Sequence, residues 1–202
     1  MRIGTISAAV ILAILTFASP SQGSASTDAR GRHATKQVKG AKPQVAPIPP
    51  AYYEVAMIKR VPADLLYSIS LAESKLPTNK GRIVPWPWTA NFKGKGYRFK
   101  TRVALYQFCK RLIDQGHRSV DIGIAQVNWR WHSGRFGGDL WAATDPWTNL
   151  NAAADYLSEH YQKSRNWWQA AGQYHNPTDV AKAAAYRKSV YKQWQYVKQT
   201  MQ

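Results

Sequence analysis

A succession of helix-period segments, broken by proline and glycine and interrupted once by alternation, is what most restricts the folds open to this chain. The segment after Pro50 reads as helical. Pro62 then suits the first turn of a helix, where its missing N–H costs nothing, and Asp64 follows in that turn, favourably placed for the helix dipole. Leu65, Leu66, Ile69 and Ala72 make one apolar face, and Glu73 points with it. Pro77 limits this helix to ending by about Lys75 or Leu76, because the residue before a proline is driven out of the helical region. Between Gly81 and Lys100 the pattern changes. Trp88, Ala90 and Phe92 alternate, Lys93-Gly94-Lys95-Gly96 turns, and Tyr97 and Phe99 alternate again, which predicts a small hairpin. Helical spacing returns at Leu105, Phe108, Cys109, Leu112 and Ile113, ending at Gly116. The stretch Asp121 to Trp129 predicts a short strand or turn. Three more helices follow, opened by Asp145-Pro146, by Asn166, and by Thr178-Asp179. No internal repeat is visible. A chain of 202 residues, 45% hydrophobic, suffices for one ordinary domain with its own core. The expected class is α+β, mainly α, with a small β-hairpin insert.

The first residues have a different character. Met1-Arg2 is a short positive start, Ile3 to Phe17 is mostly apolar, and ASPSQGSAS follows. These are the three parts of a secretory signal peptide, assigned to residues 1–26 with cleavage near Ala25 or Ser26; a retained N-terminal anchor is the alternative. The apolar run is shorter than the ~20 residues that cross a bilayer comfortably, so no membrane span is expected after cleavage, and the protein is expected to be periplasmic or exported. Residues 27–50 carry Arg30, Arg32, Lys36, Lys39 and Lys42 against Asp28, and close on Pro43, Pro47, Pro49 and Pro50. With few large apolar residues this stretch is read as a basic, Pro-containing linker, leaving 51–202 as the folded domain. The single cysteine, Cys109, excludes an intrachain disulfide and reads as a small buried hydrophobe.

The formal net charge is +17. Such an excess usually reflects an anionic partner or surface; nucleic acid, anionic membrane and acidic wall polymer all qualify by charge alone. Nucleic acid fits poorly with export, and no nucleic-acid motif is present, so none is expected as a partner. The five His are scattered without ligand spacing, and no Gly-rich phosphate loop appears, so neither metal nor cofactor is expected.

Glu73 stands apart among the acids, as a carboxylate on the apolar side of a helix near its C-terminal end. Desolvation and the negative helix end both raise its pKa. A carboxylic acid kept protonated near neutrality is what glycosidic cleavage needs, since the leaving oxygen must receive a proton. The alternative is a boundary Glu paired with one of the many Lys or Arg.

Three motifs then occur in order: Glu73-Ser74; Gly123-Ile124-Ala125-Gln126-Val127-Asn128; and Ala170-Ala171-Gly172-Gln173-Tyr174-His175-Asn176. The set resembles the soluble lytic transglycosylase family, whose fold is lysozyme-like, of the goose type. The resemblance covers roughly Tyr52 to Lys198. It implies that Glu73 is the catalytic acid and then the base, that Ser74 orients the bound sugar or the acid, that Gln126 and Asn128 line the cleft, and that Tyr174 hydrogen-bonds near the carboxylate. It also implies cleavage of the β-1,4 bond between N-acetylmuramic acid and N-acetylglucosamine, leaving a 1,6-anhydromuramoyl end, with peptidoglycan glycan strands as partner. The Tyr-His pair, where the commonest form has Tyr-Asn, resembles the specialised members of conjugation, pilus and secretion machines, whose components are further expected partners. About 50 residues separate Glu73 from Gln126, more than in the plainest members. That insert holds Trp86 and Trp88, which could stack on sugars or pack the core. The best second carboxylate for a water-using muramidase is Asp121, with turn stabilisation as its other reading. A non-catalytic wall-binding assembly protein is the remaining alternative.

Overall fold

The computed structural model describes residues 44–201. The signal peptide and the linker up to Pro43 lie outside the described residues.

The longer helices form where the periodicity predicts them, most with a local reason to start. The first two are α1 (Pro50–Lys59) and α2 (Ala63–Ser74). Next comes α3 (Arg102–Asp114), opened by Thr101, whose hydroxyl accepts the Ala104 N–H. After two one-turn helices, α4 (Trp129–His132) and α5 (Leu140–Ala143), comes the long α6 (Pro146–Ser164). Asp145 caps α6 by accepting from Thr148 N–H, and Pro146 sits at its first position. Asn166 caps α7 (Trp167–His175), and Asp179 caps α8 (Val180–Gln199).

Helix α8 packs along both α2 and α7, and α6 along α1 and α7. Their shared interior holds Leu66, Tyr67, Ile69, Leu71, Leu157, Val190 and Val197, all fully buried. Asp64 ties the first turn of α2 to α8 by accepting from Trp194 Nε1 at 2.8 Å. Cys109 is buried, and desolvation pushes its thiol up to about 12, which suits the hydrophobe reading and not a nucleophile.

Two small sheets flank the helices. The expected hairpin is present as β4 (Thr89–Phe92) and β5 (Lys95–Arg98), joined by Lys93-Gly94, both at positive φ, as a tight antiparallel connection demands. Strands β6 (Val120–Ile122) and β7 (Val127–Asn128) extend this sheet antiparallel in the order β5-β4-β6-β7. The second sheet, β1 (Gln44–Val45), β3 (Arg82–Pro85) and β2 (Lys75–Pro77), has no periodic signature in the sequence. Its strands run two to four residues, two of them ending on Pro77 and Pro85, too short to register as alternation. Helix α2 ends at Ser74, within the limit that Pro77 sets, because Lys75 turns extended into β2 and Ser74 C=O accepts the Trp86 N–H at 2.9 Å.

One expectation needs adjusting. The stretch read as linker to Pro50 is part of the packed structure from Gln44 onward. Ala46 N–H donates to Ile83 C=O, Ala46 C=O accepts from Tyr67 OH, and Val45 and Ile48 are buried. Two apolar side chains with a pairing edge suffice where composition averaged over the whole stretch suggested none. The architecture as a whole is α+β, mainly helical and lysozyme-like, as the resemblance implied. No helix among the described residues is long and apolar enough to cross a membrane.

Candidate active site

The C-terminal end of α2, the four-stranded sheet and the end of α7 converge on a cleft of about 730 Å³. The sheet presents one face to it. Asn91, Asp121 and Asn128 are register partners across β4, β6 and β7, so the pleat aims all three the same way. All three line the cleft, as do Glu73, Gln126 and Tyr174.

Glu73 sits one residue before the end of α2, half-buried, with its carboxyl group held by Tyr186 of α8. The Tyr186 hydroxyl donates to Glu73 Oε1 at 2.5 Å. Desolvation dominates the electrostatics of this carboxyl and, with the negative charge of Asp121, raises its pKa from the ordinary range to about 7; the Tyr186 bond pulls the other way. Tyr186 and Tyr174 are themselves raised well above 10 by burial first and by the nearby Glu73 charge next, so both stay protonated donors. His175 stacks flat on the Tyr186 ring, centroids 4.6 Å apart at 6°, and fixes the plane from which that hydroxyl reaches Glu73. None of the salt bridges among the described residues involves Glu73, so the boundary ion pair that was its alternative reading is not formed.

The Gly123–Gln126 turn forms the opposite support. Gly123 has φ +82° and Gln126 φ +49°. The turn is pinned by Asn149 of α6, whose buried amide accepts from Ala125 N–H at 3.1 Å and donates to Ile122 C=O and Ala143 C=O at 2.9 and 3.0 Å. Gln126 Nε2 donates to Gly123 C=O at 2.8 Å, which holds this side chain against its own turn on the cleft wall. Asn128 is doubly used: Nδ2 donates to Asp121 Oδ1 at 2.7 Å, and Oδ1 accepts the Arg130 N–H to cap α4.

Two of the expected site residues bond to this turn. Ser74 is fully buried and does not line the cleft; its hydroxyl donates to Ile124 C=O at 2.6 Å, tying the Glu73-bearing helix end to the turn. Tyr174 lines the cleft, and its hydroxyl donates to Ala125 C=O at 2.8 Å. The hydrogen bond to the Glu73 carboxyl comes from Tyr186, which the sequence reading missed. Its only signal was a stripe on the last helix, Tyr186, Val190, Gln193 and Val197, at spacings 4, 7 and 11. Asn149 was missed too, although an amide in line with Ala153 and Leu157 is a polar residue on an apolar stripe. Trp86 and Trp88 pack edge-to-face 5.8 Å apart outside the cleft, with Trp86 Nε1 donating to Phe99 C=O.

Asp121, the second carboxylate, has its pKa raised by burial, against the bond from Asn128 and the attraction of His175. The arrangement is thus one desolvated acid with a tyrosine donor, and a second carboxylate across the cleft held by an amide. Among the described residues no cluster of His, Cys, Asp and Glu could hold a metal ion.

Tyr186→Phe removes the one hydrogen bond among the described residues that favours ionised Glu73, so Glu73 titrates at higher pH in this variant. The measurement is the alkaline limb of activity against pH, expected to move upward; an unmoved limb means that Tyr186 does not govern Glu73.

The family model described as Transglycosylase SLT domain matches residues 53–196. No curated protein and no solved structure matches the chain. The match spans the residues that line the cleft together with Tyr186 and Asn149, and the chain belongs to the transglycosylase SLT domain family, which acts on peptidoglycan.

Proposed function

We propose that this chain is an exported peptidoglycan lytic transglycosylase in which Glu73 serves as acid and then as base. The observation that carries this is the carboxyl of Glu73, desolvated at the cleft with its pKa at about 7 and fixed by Tyr186. Protonated Glu73 gives its proton to the oxygen linking C1 of N-acetylmuramic acid to C4 of N-acetylglucosamine, and the C1–O bond breaks. The muramoyl 6-hydroxyl oxygen then bonds to C1 and passes its proton to the Glu73 carboxylate, which restores the acid. The product is a 1,6-anhydromuramoyl end, and no water is consumed. Gln126 and Asn128 serve as cleft-wall contacts for the glycan, and Ser74 and Tyr174 position the two segments between which it lies.

Digestion of purified sacculi with mass analysis of the products tests this. Anhydromuramoyl ends are expected; reducing ends alone would sink the transglycosylase step. The second reading, a muramidase using water, is favoured by one observation: Asp121 lines the same cleft and could serve as base. The pH profile separates the two. A single acid gives activity that is full below about pH 7 and falls above it. A catalytic Asp121 must be ionised, which adds a falling limb on the acid side.

Residues 1–26 act in this proposal as a removed leader and the basic stretch up to Pro43 as a tether, with N-terminal sequencing of the exported protein as the check. His175 in place of the common Asn supports a role in opening the wall for a conjugation, pilus or secretion machine. Deleting the gene is expected to reduce transfer or secretion, and unchanged transfer and secretion would remove that assignment.

A further inference from the structure

Helix α4 is a single turn with an unequal pair of tryptophans. Trp129 is 6% exposed and stacks on Phe136 at 6.4 Å. Two positions on, a helix has turned by about 200°, so Trp131 faces the opposite way. It is 71% exposed and lines the cleft. Packing explains the first ring and not the second, whose apolar face opens onto a cleft otherwise lined mostly by polar side chains. Among the described residues no aromatic ring packs on Trp131, and the guanidinium of Arg130 lies over it, Cζ 4.9 Å from the ring centre.

The turn that carries the ring is firmly anchored. Asn128 caps α4 while bonded to Asp121, which joins this turn to the sheet below Glu73. His132 packs on Tyr156 at 4.4 Å, and Arg135 grips Glu159 of α6 with two bonds of 2.8 and 2.6 Å. A fixed backbone turn leaves only the indole's own rotamers to be ordered when a ligand lands on it.

We propose that Trp131 is a stacking platform for an N-acetylhexosamine ring of the bound strand, a reading that rests on the cleft being the glycan site. The negative π-face of an indole attracts the C–H face of a pyranose, and the match requires a flat, apolar ligand face and no charge. The platform sets how the strand is seated while the bond chemistry belongs to Glu73.

The test uses Trp131→Ala and Trp131→Phe, each in the Glu73→Gln protein, with the N-acetylglucosamine tetramer as probe in calorimetry. W131A is expected to weaken binding about tenfold, and W131F, which keeps an aromatic face, to stay within about threefold. With Glu73 intact, W131A is expected to raise KM on sacculi more than it lowers kcat. Its Tm is expected to match the parent, because the side chain is mostly in solvent. Unchanged tetramer affinity in W131A overturns the platform, as does W131F binding as weakly as W131A. The two readings fail separately. If the wild type releases no muropeptides while tetramer binding still depends on Trp131, catalysis is lost and the platform stands. If the wild type cleaves and W131A binds and cleaves equally well, only the platform is lost.

Discussion

Glu73→Gln is expected to lower muropeptide release from sacculi by on the order of 10²–10⁴-fold while making the protein more stable above neutral pH. The loss follows from chemistry, since an amide of the same shape cannot protonate the glycosidic oxygen. The gain follows from linkage. Folding raises the Glu73 pKa from about 4.5 to about 7, so the folded state binds this proton more tightly than the unfolded chain. Stability from this group is therefore present at low pH, declines as pH rises from about 4.5, and is fully lost above about 7. Removing the ionisable group removes that penalty. Thermal unfolding at pH 8 should show the variant more stable by up to about 3 kcal/mol, with the difference vanishing below about pH 4. Equal stabilities at pH 8 would mean that Glu73 is not desolvated. Retained muropeptide release would rule out Glu73 as the acid and favour a wall-binding role.

The second large effect is structural. Gly123→Ala is expected to destabilise the protein by about 3–5 kcal/mol. A Cβ there would lie 2.6 Å from Asn149 Nδ2 and 2.7 Å from its Cγ, at a φ of +82° that side chains rarely adopt. Displacing the amide would orphan the buried groups it serves, Ala125 N–H and the carbonyls of Ile122 and Ala143. A double-mutant cycle isolates the collision. In an Asn149→Ala background the same change should cost only the φ strain, about 1–2 kcal/mol. Urea unfolding of the four proteins measures it. Simple additivity would show that the turn and Asn149 are not coupled in this way.

Both effects trace to the same geometry. The turn that Asn149 pins also receives Ser74 at Ile124 C=O and Tyr174 at Ala125 C=O. The helix end bearing Glu73 and the helix end bearing Tyr174 are thus referenced to one short segment. A loosened Gly123 turn is expected to displace the acid as well as weaken the fold.

Much of this was legible in the chain order. Helix starts at Asp145, Asn166 and Asp179 are local events, decided by a side chain reaching an N–H within three residues. The hairpin is equally local, set by alternation and by Lys93-Gly94 at positive φ. Glu73 was readable as unusual because a charge on an apolar stripe conflicts with burial. The partners that define its chemistry were not. Tyr186 is 113 residues away along the chain, and nothing in local sequence distinguishes its hydroxyl from that of Tyr174, only twelve residues before it. The strand at Gln44–Val45 was hidden for a related reason: two buried apolar residues among prolines and charges become structure only when Arg82 and Ile83 supply an edge.

The sequence by itself therefore determined where the longer helices and the hairpin lie, and that one carboxylate sits on the apolar face of a helix. Periodicity and capping act over a few residues and need no distant partner. Only the tertiary structure decided which tyrosine holds that carboxylate, that Ser74 serves the turn and not the cleft, that Asp121 shares the cleft with Glu73, and that Trp131 is left open to it. Those outcomes depend on how α2, the sheet, α7 and α8 pack. Desolvation and hydrogen-bond geometry are properties of that packing, and no single segment carries them.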